Sequence, residues 1–389
     1  GCAVRLRWTS AVDHLGLGTP PVAIPDVLAV PARVVQVAAG DAHTLLLALA
    51  PAPRVFAAGA NDCGQLGLGD AVEGRSAKRA WEVAGLAPEA LVAGVACGGQ
   101  VSFAVSQRGD AWSWGRNEES GVLGQGEMPV ACVPAPVPVL GLRRKLRAAQ
   151  VATTGWTALC VSHLGALFSW GGGACGVHGQ GHQDDESSAK AVRGLDGVAV
   201  VQAAAGALHA LALSARGEVF TWGRIVGAFG AEAQLQLVPK FVDALLDIRI
   251  VQVAAGAEHS LALAADGEVY AWGSRTAGAL GSGHSNTVPQ QQHLLVHKAD
   301  LGVGRVRELA CGRSHSLFLA EAEGEEEEKA GGDLWICGMG AAASPHVASK
   351  VEGVPVTRAG EWGKALAAPI GVPLKLQKVD VKRVLAMFG

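Results

Sequence analysis

The stretch GQLGLGD, residues 64–70, places three glycines within six positions and raises the question of a phosphate site. Glycine-rich loops bind phosphate when a strand leads in and a helix leads out, because backbone N–H groups at the start of that helix then face the anion. The following residues, AVEGRSAKRAWEV, lack the apolar spacing of three and four positions that indicates a helix. The stretch therefore does not predict a nucleotide site.

A second cluster combines Cys175, His178 and His182, with Asp184 and Asp185 directly after it. Thiolate and imidazole groups at intervals of three and four positions are ligands that zinc accepts. However, CGVHGQGH repeats a glycine spacing that occurs elsewhere in the chain, so we favour a structural turn that exposes His178. The prediction is no cofactor and no metal, with zinc on these three residues as the alternative.

The one basic cluster is RRKLR at residues 143–147, which supplies Arg143, Arg144, Lys145 and Arg147. Such a cluster can contact an acidic protein or RNA phosphate, although a solvated surface is the commoner role. The whole chain has 32 basic and 35 acidic residues and a net charge of −3, which is neither a nucleic-acid nor a membrane signature. No apolar run of about 18 residues occurs, so no membrane span is predicted.

The glycine spacing of residues 64–70 returns at residues 13–18, 121–126, 176–181 and 278–283. A phosphate site is needed once or twice per domain, whereas a turn that every structural unit makes must be encoded in every unit. Apolar strands that close on a glycine recur as well. Those glycines are 50 to 58 residues apart: Gly40, Gly98, Gly155, Gly206, Gly256 and Gly312. This period is typical of a propeller blade or a solenoid rung.

Each unit has an opening strand, a strand that begins near a histidine, a hairpin turn, a return strand that usually ends in Trp-Gly, and the glycine turn. We expect the glycine that closes the opening strand, such as Gly256, to need a positive φ. The predicted complete repeats are residues 34–91, 92–149, 150–199, 200–249, 250–305 and 306–378. A seventh blade is predicted from residues 1–31 and 381–389, with Trp8 and Val384 in it.

The pattern VAAGAEHSLALAADGEVYAWG at residues 253–273, followed by GALGSG, resembles the repeat of the regulator of chromosome condensation family. The resemblance covers nearly the whole chain and implies one all-β domain over residues 1–389, a seven-bladed β-propeller. It weakens at residues 98–100 and 155–157, where the repeated histidine is absent. The founding member of the family is a nucleotide exchange factor for a small nuclear GTPase that also docks on chromatin. Relatives work in organelles, cilia, ubiquitin ligases and light sensing.

The repeated histidines occur once per unit at His43, His209, His259 and His315, so we expect them to satisfy backbone groups near the turns rather than to catalyse. The predicted function is a non-enzymatic scaffold for protein partners, a subunit or assembly factor of a larger complex. The alternative is a guanine-nucleotide exchange factor for a small GTPase. The chain begins at Gly1 instead of Met and the family has organellar members, which favours the mitochondrion over cytosol, cilium or nucleus.

The longest departure from the repeat follows Gly338 and contains Trp362 between Glu361 and Lys364, a composition suited to an interface anchor with a polar rim. The alternative is that Trp362 packs on its own blade. We expect Trp362→Ala, or removal of residues 344–374, to weaken assembly with the native partner while the propeller stays folded. Quantitative co-purification measures this effect. Full stoichiometry of every partner with the shortened chain would exclude the segment as the docking surface.

Overall fold

The computed structural model describes residues 2–4, 28–30, 33–49, 52–70, 77–86, 88–117, 120–126, 132–139, 147–229, 233–274, 278–281, 295–321, 332–338 and 349–350. Within them the chain forms six four-stranded antiparallel sheets, and in each sheet the strands pair in chain order. These sheets are the blades of a β-propeller, which confirms the predicted all-β fold. No helix in the described ranges is long and apolar enough to cross a membrane.

The described residues contain six complete blades instead of the predicted seven. Near the N-terminus, β1 (Cys2–Val4) pairs with β2 (Leu28–Val30) in a separate two-stranded sheet. Trp8 and residues 381–389, which the prediction assigned to the seventh blade, lie outside the described residues.

Blade 1 contains β3 Arg33–Ala39, β4 His43–Leu49, β5 Pro53–Gly59 and β6 Ala77–Glu82. Blade 2 contains β7 Val92–Gly98, β8 Val101–Ser106, β9 Ala111–Arg116 and β10 Cys132–Pro138. Blade 3 contains β11 Ala148–Thr153, β12 Thr157–Ser162, β13 Leu167–Gly171 and β14 Glu186–Ala191. Blades 4 to 6 contain β15 Val200–Ala205, β16 His209–Ser214, β17 Val219–Ile225, β18 Gln234–Phe241; β19 Ile250–Ala255, β20 His259–Ala264, β21 Val269–Gly273, β22 His297–Lys298; β23 Val306–Cys311, β24 His315–Glu321, β25 Gly332–Gly338, β26 Ser349–Lys350. In the described ranges, short 3-10 helices occupy Pro88–Ala90, Ala174–Gly176 and Asp243–Leu245.

The second strand of a typical blade is buried on both faces, as every residue of β16 shows. Its sequence, HALALS, alternates large and small apolar residues, so the flanking blades can pack against both sides. The outermost strand β18 is only partly covered and carries polar residues. The hydrophobic core therefore lies between blades, where it contains Trp114, Trp170, Trp222 and Trp272.

The glycine turns supply backbone carbonyl acceptors for the indole N–H groups of tryptophans in the next blade. The indole N–H of Trp114 donates to the carbonyl oxygen of Gln65 in the preceding blade at 3.0 Å. Gly67 in the same turn has φ +68°, and a Cβ there would lie 2.8 Å from the Trp114 indole nitrogen. Trp170 and Trp222 repeat this arrangement with Val122 O at 2.7 Å and Val177 O at 2.6 Å. The opening stretch GQLGLGD is thus a docking turn for the next blade's tryptophan.

A bulge interrupts the pairing of every opening strand. In blade 5, Ile250 lies opposite Ala264 and Gln252 opposite Leu263, so Val251 has no partner residue. The equivalent extra residues are Val35, Ala93, Ala149, Val201 and Arg307. A bulge re-aims the flanking side chains. Val251 remains 49% exposed at the innermost strand, which indicates that it faces the central channel.

The predicted positive φ at Gly256 is wrong, because this glycine is not among those in the left-handed region. Its lack of a side chain is required by close approach instead. A Cβ at Gly256 would overlap the ring of His259 and lie 2.8 Å from the carbonyl oxygen of Gly312 in the next blade. Gly206 is equally crowded, with Gly256 O at 2.6 Å from its Cβ position.

We expect Gly256→Ala to lower the free energy of unfolding by about 1–3 kcal/mol, because the added methyl overpacks the blade junction. Gly94→Ala is the matched control, since a Cβ there would meet only Gln36 Oε1 at an ordinary 3.7 Å. That control should be neutral or stabilising by about 0.4–1 kcal/mol through the unfolded state. Urea denaturation measures both variants, and equal losses would contradict the steric explanation.

Candidate functional site

Most residues of the predicted interaction sites lie outside the described part of the chain: Trp362, Glu361, Lys364, Arg143, Arg144 and Lys145. Their roles stay predictions. Arg147 is described, is exposed, and directly precedes β11. The structure therefore places one member of the basic cluster at the start of an innermost strand.

His178 is buried, so the expectation of an exposed turn is wrong. Its Nε2 lies 2.8 Å from the carbonyl oxygen of Asp184, and its Nδ1 accepts the backbone N–H of Gln180 at 3.1 Å. This pair of bonds assigns the proton to Nε2 and leaves neither nitrogen for a metal. Burial lowers the pKa of His178, which favours the same neutral ring.

The rest of the proposed zinc cluster is also engaged elsewhere. His182 Nε2 lies 3.4 Å from Glu186 Oε1, and the His182 ring packs edge-on against His178 with centroids 4.9 Å apart. Cys175 is half-buried at φ +57° and packs against the apolar core of blades 3 and 4. In the described ranges no three His, Cys, Asp or Glu side chains are grouped as metal ligands.

The repeated histidines link neighbouring blades. His43 Nε2 is 2.8 Å from Ser102 Oγ, and this hydroxyl donates onward to Gln65 O at 2.8 Å. Two further pairs repeat the link, namely His209 with Ser260 at 2.7 Å and His259 with Ser316 at 3.0 Å. The partner is thus a serine hydroxyl of the next blade and not the backbone group that we expected.

A second link uses glutamines that follow the bulge. Gln252 Nε2 donates to Leu309 O at 2.8 Å, while the Leu309 N–H donates to Gln252 Oε1 at 3.1 Å. Gln36, Gln150 and Gln202 bridge blades in the same way. These glutamines were not among the predicted site residues, although their recurrence at one position of the opening strand is visible in the sequence.

Blades 2 and 3 lack several of these links. Gly94 stands where blades 1, 3, 4 and 5 have glutamine. Val101 and Thr157 occupy the histidine position, because they lie opposite Gly115 and Gly171 as His259 lies opposite Gly273. The turn before Thr157 therefore leads into a strand that has no histidine at this position. It presents Trp156, which is 58% exposed.

The turn that carries Trp156 is fixed by hydrogen bonds. The Thr154 hydroxyl accepts the backbone N–H groups of Trp156 and Thr157, both at 3.3 Å. The carbonyl oxygen of Trp156 accepts the Gly172 N–H at 2.7 Å. A Cβ at Gly172 would lie 3.9 Å from Trp156 Cβ, so the glycine segment at residues 171–173 runs directly beside this turn. We call Trp156 with residues 171–173 the Trp156 surface.

The Trp156 surface has the properties of a binding anchor. Tryptophan is enriched among residues that dominate binding energies, and a turn that is already ordered loses little conformational entropy on association. The sequence analysis recorded this position only as a weak match to the repeat. Exposure of the indole depends on the loss of the histidine, which the pattern showed, and on the turn geometry, which it did not.

The regulator of chromosome condensation (RCC1) repeat is recognised at residues 200–224 and 250–278 by one family description and at 216–263 and 266–319 by another. The chain belongs to the RCC1 repeat family. The propeller architecture agrees with this membership, and the recognised repeats fall in blades 4 to 6.

Among curated proteins, the human probable E3 ubiquitin-protein ligase HERC6 is 31% identical over 301 residues, 76% of this chain but 28% of HERC6. The Arabidopsis thaliana ultraviolet-B receptor UVR8 is 31% identical over 52% of this chain and 44% of its own length. The Arabidopsis RCC1 domain-containing protein RUG3, mitochondrial, is 31% identical over 34% of this chain and 29% of its own length. The chain thus spans less than half the length of each of these relatives.

Two solved structures share the fold over most of the chain. Human WBSCR16 superposes with a TM-score of 0.66 and 26% identity, covering 78% of this chain and 76% of its own. Prp20p of Saccharomyces cerevisiae gives a TM-score of 0.71 at 22% identity, covering 90% of this chain and 86% of its own. The likeness to Prp20p shows the fold alone.

Burial lowers the pKa of His43 and His209 to about 4 and that of His259 to about 3. The unfolded chain, with histidine pKa near 6.5, then binds more protons between about pH 4 and 6.5. Stability is therefore full above this window and falls as the pH drops through it, by up to about 1.4 kcal/mol per pH unit for each histidine.

Urea unfolding between pH 7.5 and 4.5 measures this loss. His209→Gln should reduce the pH dependence of the free energy of unfolding by the contribution of one histidine. His163→Gln, a change at an exposed hairpin residue, should leave that dependence unchanged. Identical profiles for the two variants would contradict the assignment.

Proposed function

We propose that this protein is a non-enzymatic scaffold that docks protein partners, as a subunit or assembly factor of a larger complex. The observation that carries the proposal is Trp156, 58% exposed on a hydrogen-bonded turn where the links of the repeat are missing. A side chain that the ring does not need for its own packing is available to a partner.

The cysteines and histidines of the repeat, which are the residue types best suited to catalysis, support a role without catalysis. Burial raises the pKa of the thiols of Cys97, Cys160 and Cys337 to about 12, so these cysteines remain protonated and unreactive at neutral pH. The buried imidazoles of His209 and His259 are neutral and hydrogen-bonded to serine hydroxyls of the next blade. These groups hold blades together.

Relatives support protein partners of this fold. Yeast Prp20p has been characterised for its binding to Gsp1p and histones, and it also forms a complex with Kap60. The matches to HERC ligases cover RCC1 repeats in a small part of those proteins, so the proposal does not include ligase activity. The match to RUG3 supports the mitochondrion as the proposed place of action.

The test uses the tagged full chain, purified separately from mitochondrial and cytosolic fractions of its source cells. Partners that co-purify in stoichiometric amount are then produced pure, and the Kd of each is measured. We expect Trp156→Ala to weaken binding at least about 30-fold, equivalent to about 2 kcal/mol, with the free energy of unfolding unchanged within about 0.5 kcal/mol. Trp81→Ala, at a tryptophan 37% exposed on the outer strand β6, is the matched control and should bind normally.

A set of partners that binds both variants equally would contradict the role of Trp156. Recovery of a small GTPase whose nucleotide release is accelerated by the purified chain would replace the scaffold by the exchange-factor alternative. Recovery from the cytosolic fraction alone would contradict the mitochondrial placement and leave the docking role standing.

A further inference from the structure

Arginine recurs at one position of the blades, at or directly before the start of the innermost strand. The members are Arg33, Arg147, Arg249 and Arg305. All four are exposed. The innermost strands of consecutive blades contact one another around the axis, so equivalent positions lie around one mouth of the central channel. We call Arg147, Arg249 and Arg305 the arginine rim.

The rim arginines have no ion-pair partner among the described residues. Within the described residues, none of their three guanidinium groups lies within ion-pairing distance of a carboxylate. Arg305 donates one hydrogen bond, to Ala265 O at 2.9 Å, which leaves other N–H groups of its guanidinium for a ligand. The rim therefore presents positive charge in a protein whose net charge is −3.

Packing explains the aliphatic part of these arginine side chains, which we call the stem, but it does not explain their charge. Each stem covers the hairpin glycine of the preceding blade, as Arg249 does with Cγ 3.0 Å from the position of a Cβ on Gly217. In blade 4 the same place over Gly165 is taken by Ala199, whose Cβ lies 3.3 Å from the equivalent position. An alanine thus suffices to cover the turn, and the fold does not require the guanidinium groups.

Below the rim the channel wall is apolar. The bulge residues lie two positions further along each innermost strand, about 6–7 Å deeper. In blades 2 to 5 they are Ala93, Ala149, Val201 and Val251, all exposed, with Val201 at 54% and Val251 at 49%. Blade 6 has Arg307 at this level, and its Nε is paired with Glu321 at 3.1 Å.

We propose that this mouth of the channel binds an extended segment of a partner protein whose tip is apolar and whose following residues are acidic. Guanidinium groups at the rim recognise carboxylates in a fixed fork geometry, and the tip removes Val201 and Val251 from water. The inference depends on the scaffold role only for the choice of a protein as ligand. Trp156 lies at the other end of β11 and is not part of this site.

The same surroundings disfavour a nucleic acid. Single strands are usually held by bases stacked on aromatic side chains, whereas the wall positions of blades 2 to 5 are alanine and valine. Among the described residues, a narrow peptide that enters along the axis meets the rim and this wall.

The test measures fluorescence anisotropy with the full chain and labelled synthetic probes. The main probe is a peptide of six glutamates followed by four valines. Comparison probes replace the valines by serines, replace the glutamates by lysines, or use a uridine-rich RNA strand. We expect the glutamate-valine peptide to bind best, and the triple variant R147A/R249A/R305A to weaken it about tenfold or more.

The matched control is R193A/R224A/R313A, which removes three positive charges at exposed residues outside the rim, with Arg224 and Arg313 at the opposite ends of their strands, and it should bind normally. R147K/R249K/R305K keeps the charge and should recover part of the affinity, while Val251→Ser should weaken the valine probe and not the serine probe. Equal losses in both alanine triples would overturn the site. Preferred binding of the RNA, or equal affinity for the valine and serine probes, would overturn the choice of ligand without affecting the Trp156 test.

Discussion

The propeller depends on one contact that three of its described blade junctions repeat, the bond from a buried indole N–H to a backbone carbonyl of the preceding blade. The indole nitrogen of Trp272 is buried without such a partner among the described residues. Trp222 Nε1 reaches Val177 O at 2.6 Å inside a fully buried junction. A buried indole N–H without an acceptor costs stability, and the glycine turn supplies one to Trp222 only while Gly179 has φ +70° and no side chain in the path of the ring. The repeated glycines, the repeated tryptophan and the packing between blades therefore form a single constraint.

Other links between blades are redundant, and this redundancy leaves room for change. The junction of blades 2 and 3 has neither the glutamine nor the histidine link, yet it keeps the bond from Trp170 to Val122 O at 2.7 Å and an edge-on contact of Trp170 with Phe103. Because the junction holds without the polar links, the turn at Trp156 can diverge without opening the ring. Departures from the repeat therefore mark positions whose repeat residues the fold does not require.

Unlike the polar links, which are lost at one junction, the bulge in the innermost strand is present in all six described blades. In blades 3 to 5 it turns a glutamine toward the next blade and leaves the preceding residue exposed toward the channel, whereas the equivalent Val35 of blade 1 is buried. The fold thus fixes where the channel wall lies but not what it is made of, and blade 6 has Arg307 where blade 5 has Val251. Trp156 and Arg147 stand at opposite ends of β11, so one blade contributes to two separate surfaces.

The sequence by itself determined the all-β propeller and its repeating positions, because every blade needs the same turn and the same buried strand, and a period of 50 to 58 residues shows this directly. It also marked Trp156 as a place where the repeat fails. Only the tertiary structure decided why Gly256 must be glycine, because a Cβ there would overlap the folded-back ring of His259 and approach the carbonyl oxygen of Gly312, more than fifty residues away. The same holds for the burial of His178, the exposure of Val201 and the gathering of Arg147, Arg249 and Arg305 at one mouth. Bulges shift the register and the ring brings distant repeats together, and neither effect is readable from a local pattern.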